Sequence, residues 1–241
     1  MSEDTCICVF VKPPLVGRVK TRLIPAVGAE GAAALAEAFF RDTWNSVKSL
    51  SWAVPIVAST DPLGSGTLPE PDIDVWLQGG GDLGARIERI LRQALMRSPL
   101  AMAMGADSPG IPPGFLERAR EALRSADAVL GPCVDGGFYL LGVRECPPGL
   151  LAGIPWSHST TFARTFERLS EQGLRVAVVD PWYDIDRPED LELLGTQLAA
   201  GAIMAPHTAK VLADVRARAT PTHLLCETNA LDARDDGVQT S

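Results

Sequence analysis

Short apolar runs alternate along this chain with longer stretches of helical periodicity, and that alternation limits the folds open to it. The apolar runs lie near residues 5–11, 53–59, 73–77, 100–105, 127–131, 137–143 and 175–180. The helical stretches lie near 29–50, 82–97, 113–125, 160–173 and 188–200. A run as uniformly apolar as Cys6 to Val11 asks for cover on both faces. This predicts an α/β fold, with a mostly parallel sheet and helices on both sides. Ligands of such sheets bind beyond the carboxyl ends of the strands, so the residues that follow each strand are the candidates for function.

A chain of 241 residues, 46% of them apolar, can build one sizeable core. One domain is expected over residues 1–205. The pattern then fades, and residues 206–241 read as a polar, mobile tail. Leu63 to Pro71, rich in proline and glycine, reads as a surface loop. The formal charge of −8 argues against a general nucleic-acid binder. The five cysteines show no zinc or disulfide spacing, and Cys6 and Cys8 share one face of a strand as small core residues. A reducing cytoplasm is the expected compartment. The acidic start Met1 to Asp4 does not fit a secretory signal, and no stretch looks like the ~20 apolar residues of a membrane span, so no membrane partner is expected.

The first strand runs into Lys12-Pro13-Pro14-Leu15-Val16-Gly17-Arg18-Val19-Lys20-Thr21-Arg22, which holds four cations and no acid. In an acidic protein such a loop suits a polyphosphate: it offers backbone N–H groups, close approach at Gly17 and cationic side chains. Lys12, Gly17, Arg18, Lys20, Thr21 and Arg22 are therefore expected to bind nucleotide, with Lys20 also catalytic. A solvated turn between strand and helix is the plainer alternative.

Three later strand ends carry acids. Asp107 follows Leu100 to Met104, and Asp135 stands before Gly136 and Gly137 between two strands. Asp184 and Asp186 lie two apart in Trp182-Tyr183-Asp184-Ile185-Asp186-Arg187-Pro188-Glu189-Asp190. Period-two spacing puts Asp184 and Asp186 on one side of an extended segment. Glu189 and Asp190 are better read as acids of the first turn of the helix opened by Pro188. Mg²⁺ (or Mn²⁺) takes one or two carboxylates plus phosphate oxygens. Asp107 and Asp186 are the expected ligands, with the N-cap region of the helix opened by Pro188 as the alternative for Asp186. Asp135 is expected to act as general base on an acceptor hydroxyl, with Gly136 and Gly137 allowing close approach of substrate. The alternative for Asp135 is a turn acid capping its own backbone.

Gly79, Gly81 and Gly84 spell G-x-G-x-x-G after a strand and before a helix, and Asp107 follows at about the distance of a ribose-binding acid. A dinucleotide-binding oxidoreductase is thus a lesser alternative. The preferred reading is a nucleotide-contacting turn involving Gln78, Gly81, Asp82, Gly84 and Arg86.

Six ordered strings carry a resemblance: F-x-K-x-P-x-x-G-x-x-K-T-R-L, G-D-L-G-x-R, G-A-D-S-P-G, G-P-x-x-D-G-G-F-Y-L-L-G, I-x-W-S and D-x-D-x-P-E-D-L. They run from Phe10 to Leu191, nearly the whole chain apart from the tail. Together they resemble a bacterial family assigned as glycosyltransferases, some associated with arsenosugar biosynthesis, within the nucleotide-diphospho-sugar transferase superfamily. The resemblance implies a GT-A type fold. It also implies a nucleotide or nucleotide-sugar donor, a small-molecule acceptor and acceptor contacts at Trp156, Ser157 and Asp184. His158 stands where the family usually has Thr. The chain is more distantly similar to guanylyltransferases acting on 2-phospholactate.

Two reactions share these parts. In glycosyl transfer, the leading expectation from the family, the acceptor attacks the anomeric carbon of a nucleotide-sugar. In nucleotidyl transfer, the alternative, it attacks the α-phosphorus of a nucleoside triphosphate. The single acid at Gly105 to Pro109, where glycosyltransferases of this fold commonly carry Asp-x-Asp, and the basic first loop lean towards the second. A catalytically inert nucleotide-binding scaffold would lack these acids or have a neutral loop, so it ranks last.

Overall fold

A computed structural model describes residues 5–64, 67 and 73–219. Among these residues are seven strands: β1 (Thr5–Val11), β2 (Ala53–Ser59), β3 (Val75–Leu77), β4 (Leu100–Gly105), β5 (Ala128–Pro132), β6 (Phe138–Val143) and β7 (Val176–Val178). Six helices connect and cover them: α1 (Ile24–Lys48), α2 (Leu83–Leu95), α3 (Pro113–Ala122), α4 (Thr161–Glu171), α5 (Pro188–Ala199) and α6 (Pro206–Ala219). The strands form one sheet in the order β3-β2-β1-β4-β6-β5-β7. All neighbours pair in parallel except β6, which runs antiparallel to β4 and β5. The predicted α/β class is present.

Strand β1 shows why its run is apolar throughout. Cys6 and Cys8 point to the face packed by Ile87, Ile90 and Leu91 of α2. Ile7, Val9 and Val11 point to the other face, against Phe40 and Trp44 of α1 and Leu116 of α3. Both faces are dry, so period-two alternation of polarity disappears. Chain order leads outward from β1 to β2 and β3, then crosses back to β4 on the other side. The crevice between the ends of β1 and β4 is the topological switch point, where α/β sheets bind ligands.

Three differences from the sequence reading have physical causes. Unbroken helix in α1 starts after Gly28, whose φ of 74° and ψ of 165° interrupt it, so the expected start near 29 marks the kink. Residues 21–48 are long and apolar enough to cross a membrane, contrary to expectation. Here Phe39, Phe40 and Trp44 from that segment are buried in the core instead. The third difference is the tail. Residues 206–219 form α6, packed on α1 with Leu212 and Val215 buried. Asp42, itself buried, accepts hydrogen bonds from the backbone N–H of His207 (3.1 Å) and Thr208 (2.7 Å) and so caps the start of α6. Residues 220–241, Met1 to Asp4 and most of the Leu63 to Pro71 loop lie outside the described residues.

Candidate functional site

The basic loop after β1 folds as a tight turn. Arg18 N–H donates to Leu15 O (3.0 Å), and Gly17 supplies the positive φ of 75° that the turn requires. Gly17 is thus explained by its own turn. Lys12, Arg18 and Arg22 stand exposed on this loop, as do the apolar Leu15 and Val16.

Lys20 behaves differently from its neighbours. Its backbone adopts the left-handed conformation (φ 45°, ψ 41°), uncommon for a lysine, ahead of the short 3-10 turn Thr21–Leu23. Its side chain is only 6% exposed, and Nζ lies 3.0 Å from Asp107 Oδ1 and 2.8 Å from Asp186 Oδ1. Burial alone would lower the Lys20 pKa, but Asp107 and Asp186 together raise it above the ordinary lysine value. Asp186 answers in kind. Partial burial pushes its carboxyl up, yet Lys20, with help from Arg22, holds it below the ordinary value. Lys20 therefore has matched acids in space, although none are near it in sequence.

The loops that carry these residues are joined through backbone hydrogen bonds. Ala106 N–H donates to Phe10 O (3.1 Å) at the β1–β4 crevice, and Ile185 N–H donates to Asp107 O (3.0 Å). The β7 loop thus lies along the β4 loop, which brings Asp107, Asp184 and Asp186 into one cluster. Asp184 is hydrogen-bonded by the buried Ser108 hydroxyl. Burial, then the charge of Asp107, pushes the Asp184 carboxyl up to about 6. Cys133 is raised out of the reactive range by burial and by Asp184.

Other predicted site residues have structural work of their own. Gln78 is buried, donating Nε2–H to Ala58 O (2.8 Å), while its Oε1 accepts from Arg86 (3.2 Å). Asp82 caps α2 by accepting from Ala85 N–H (2.8 Å). Arg89, which sequence reasoning did not single out, staples the Gly79–Gly81 turn by donating to Gln78 O and Gly80 O. Gly84 sits where a Cβ would meet Leu151 O and the Trp156 ring, both at 3.0 Å. The fingerprint glycines follow edge strand β3 instead of the switch point, and Asp107 pairs with Lys20. This is not the arrangement of a dinucleotide site.

Asp135 is exposed, and its Oδ1 accepts from Gly137 N–H at 2.9 Å, so it does cap its own turn. Gly136 has a φ of 90°, and a Cβ there would lie 1.9 Å from Ser159 O. Its close approach is to the 155–160 segment, not to open space. Trp156 packs edge-on against Phe138, with ring centroids 6.1 Å apart. Ser157 next to it is exposed with a positive φ of 59°. Glu88, also missed from sequence, is buried on α2 and accepts from Gly149 N–H (2.9 Å) and Leu151 N–H (2.8 Å). It ties the helix that follows the glycine turn to the segment leading into Trp156.

Among the described residues no three or more His, Cys, Asp or Glu are placed to hold a metal by themselves. The donor set is two half-exposed carboxylates, Asp107 and Asp186, bridged by an ammonium. That hard-oxygen chemistry fits a Mg²⁺-type cation whose remaining ligands are phosphate oxygens and water.

Comparison with known proteins agrees with this fold. Residues 45–158 match the family described as "Uncharacterized protein conserved in bacteria (DUF2064)". A stretch of 93 residues is 38% identical to the 2-phospho-L-lactate guanylyltransferase of Methanopyrus kandleri. The match takes in 36% of this chain and 45% of that relative, so the chain spans under half the length of the relative it matches. A solved CMP:2-keto-3-deoxy-manno-octonic acid synthetase, complexed with CTP, shares the fold at 10% identity and a TM-score of 0.56, covering 82% of this chain and 99% of that one. A structure described as a "putative nucleotide-diphospho-sugar transferase" from Desulfovibrio desulfuricans G20 is 30% identical with a TM-score of 0.81, covering 90% of this chain and 96% of that one. This protein therefore belongs, with the Desulfovibrio protein, to one family built on the nucleotide-diphospho-sugar transferase fold.

Proposed function

We propose that this chain is a nucleotidyltransferase that joins a nucleoside monophosphate to a small phosphorylated acceptor. The observation that carries the reading is the Lys20–Asp107–Asp186 cluster at the switch point, with Arg22 at 3.7 Å from Asp186 and the exposed cations Lys12 and Arg18 on the same loop. That much positive charge beside two carboxylates suits a triphosphate, whose leaving pyrophosphate needs more neutralisation than a nucleoside diphosphate does. A single acid at the end of β4 and the identity to a guanylyltransferase support the same choice over sugar transfer.

In this reading a phosphate oxygen of the acceptor attacks the α-phosphorus. The bond from the α-phosphorus to the bridging oxygen breaks, and pyrophosphate leaves with that electron pair. Lys20 and Arg22 stabilise the charge that develops on the phosphates, and the exposed loop cations draw the triphosphate in. Asp107 and Asp186 would hold Mg²⁺, which when bound supplies Lewis-acid stabilisation of the phosphoryl oxygens. Asp184, protonated near neutrality more readily than an ordinary carboxyl, keeps Ser108 and the β7 loop in register.

The test is product analysis. Purified protein is incubated with Mg²⁺, each nucleoside triphosphate in turn and a set of phosphorylated acceptors that includes 2-phospho-L-lactate. A parallel series replaces the triphosphates with nucleotide-sugars. Acceptor-dependent pyrophosphate release supports the proposal. Release of nucleoside diphosphate from a nucleotide-sugar, with no pyrophosphate from any triphosphate, refutes it.

A further inference from the structure

We infer that Lys20 is a built-in occupant of the divalent-cation position: its ammonium keeps free metal out of the Asp107–Asp186 pair and yields only to a cation that arrives together with nucleotide phosphates.

The geometry sets up a competition. Lys20 Nζ bridges the two carboxylates at 3.0 and 2.8 Å, the place that a cation sharing both acids would take. A divalent ion bound there would stand within a few ångströms of a lysine ammonium that is 6% exposed, and at that distance like charges repel strongly in a partly buried site. The ion must therefore displace Lys20. Displacement by bare metal strips the lysine of both carboxylate partners in a setting too dry to replace them with water, and an unpaired buried charge is costly. The Phe39 ring, 5.9 Å from Nζ, cannot stand in for two carboxylates.

Nucleotide phosphates change that balance. They give the displaced ammonium new anionic partners while they complete the coordination of the ion, so exchange becomes favourable only when both arrive. The two carboxylates are 51% and 45% exposed, so the pair is open on the side from which phosphates would approach. The left-handed backbone of Lys20 goes with a side chain turned inward to both acids, whereas Arg18 on the same loop is exposed and Arg22, 66% exposed, reaches Asp186 only at 3.7 Å. Free metal thus does not preload the site, and metal and nucleotide enter as one unit. The nucleotide half of this inference rests on the reading in Proposed function; the exclusion of free metal does not.

The test uses Mn²⁺ alone, added to the full-length protein without nucleotide and followed by the electron paramagnetic resonance signal of the free ion. Wild type is expected to leave Mn²⁺ free up to ~1 mM, while Lys20→Met gains a site at least about tenfold tighter. Adding Asp186→Asn to Lys20→Met removes that site, and Lys20→Arg, which keeps the charge, stays like wild type. Wild type that binds Mn²⁺ as tightly as Lys20→Met overturns the inference. So does a folded Lys20→Met that gains no site. If Lys20→Met does not fold, wild type still decides: sub-millimolar Mn²⁺ binding that is lost in Asp107→Asn overturns the inference, and free Mn²⁺ in both supports it. No nucleotide is present in any arm, so failure of nucleotidyl transfer, seen as missing pyrophosphate, remains separately visible.

Discussion

Lys20 and Asp186 are 166 residues apart in the chain, and their charged groups meet at 2.8 Å. The contact fastens the first loop of the sheet to its last, across the crevice between β1 and β4. Its pH window follows from the two shifts. Lys20 is raised, so its contribution is present below the ordinary value of 10.5 and is lost as pH rises through the folded value. Asp186 is lowered, so its contribution is present above 3.8 and is lost as pH falls through the folded value. The difference in unfolding free energy between wild type and Lys20→Met should therefore be steady from about pH 5 to 9, on the order of 1–2 kcal/mol, and shrink below about pH 4. A difference that does not change between pH 7 and pH 3 would show that the pair contributes nothing to stability.

Asp184 predicts the opposite trend. Its carboxyl is raised to about 6 by burial, with Asp107 adding to the effect. The stability tied to its proton is full below 3.8 and is lost as pH rises through about 6. Asp184→Asn, which keeps an acceptor for Ser108 but removes the buried charge, should gain stability relative to wild type as pH rises. At pH 8 the relative gain is about 1 kcal/mol or more, roughly 2–4 °C, and it should vanish near pH 4. Parallel melting curves of the two proteins from pH 4 to 8 would contradict it.

Glu88 should prove costly to remove. Its two carboxylate oxygens accept from Gly149 and Leu151 N–H inside the protein. Glu88→Ala leaves both amides without acceptors, a loss of about 2–4 kcal/mol. Hydrogen exchange should speed up at Leu151 and through residues 149–156, while the α1–α6 contact is unaffected. Protection at Leu151 equal to wild type would mean that other acceptors or water replace the carboxylate.

The sheet and its five covering helices were legible because each is a local pattern of sufficient length. Cys6 to Val11 and Leu100 to Met104 read as doubly covered strands, and they are. Helix α6 was missed because its large apolar residues are only Val211, Leu212 and Val215, and its cap comes from Asp42, 165 residues earlier than His207. The acids of the site were legible one by one as strand-end residues. Their joint partner was not, since nothing near Lys20 in sequence announces that it turns inward between Asp107 and Asp186. Gln78, Asp82 and Gly84 show the converse. They match a ligand-binding string, yet their side-chain contacts, or the room their lack of a side chain gives, are consumed within the protein.

Arg22 offers a cleaner probe of the loop than Lys20. Its side chain is 66% exposed and stands 3.7 Å from Asp186. Exposed pairs of this kind contribute little to stability. Arg22→Ala should leave the melting temperature within about 1 °C of wild type, yet weaken triphosphate affinity tenfold or more, as an order of magnitude. Calorimetry that shows equal affinity in the two proteins would remove Arg22 from the phosphate site.

Asp135 separates a turn role from a chemical one. Its Oδ1 accepts from Gly137 N–H at 2.9 Å, and the next residue, Gly136, has no room for a Cβ against Ser159 O. The turn between β5 and β6 thus depends on the shape of both residues. An asparagine at 135 can offer the same acceptor oxygen without the charge, so Asp135→Asn should change stability by less than about 0.5 kcal/mol. Any loss of turnover in that variant then reports the carboxylate itself. A phosphate oxygen as nucleophile carries no proton to remove, so kcat should stay near the wild-type value; a fall of roughly 10²–10⁴-fold with nucleotide affinity intact would show instead that Asp135 acts as general base on an acceptor hydroxyl. Gly136→Ala provides the contrast, since it forces the 155–160 segment away and should cost stability and turnover together. Should Asp135→Asn keep the wild-type kcat while Gly136→Ala loses it, the acid is a turn cap.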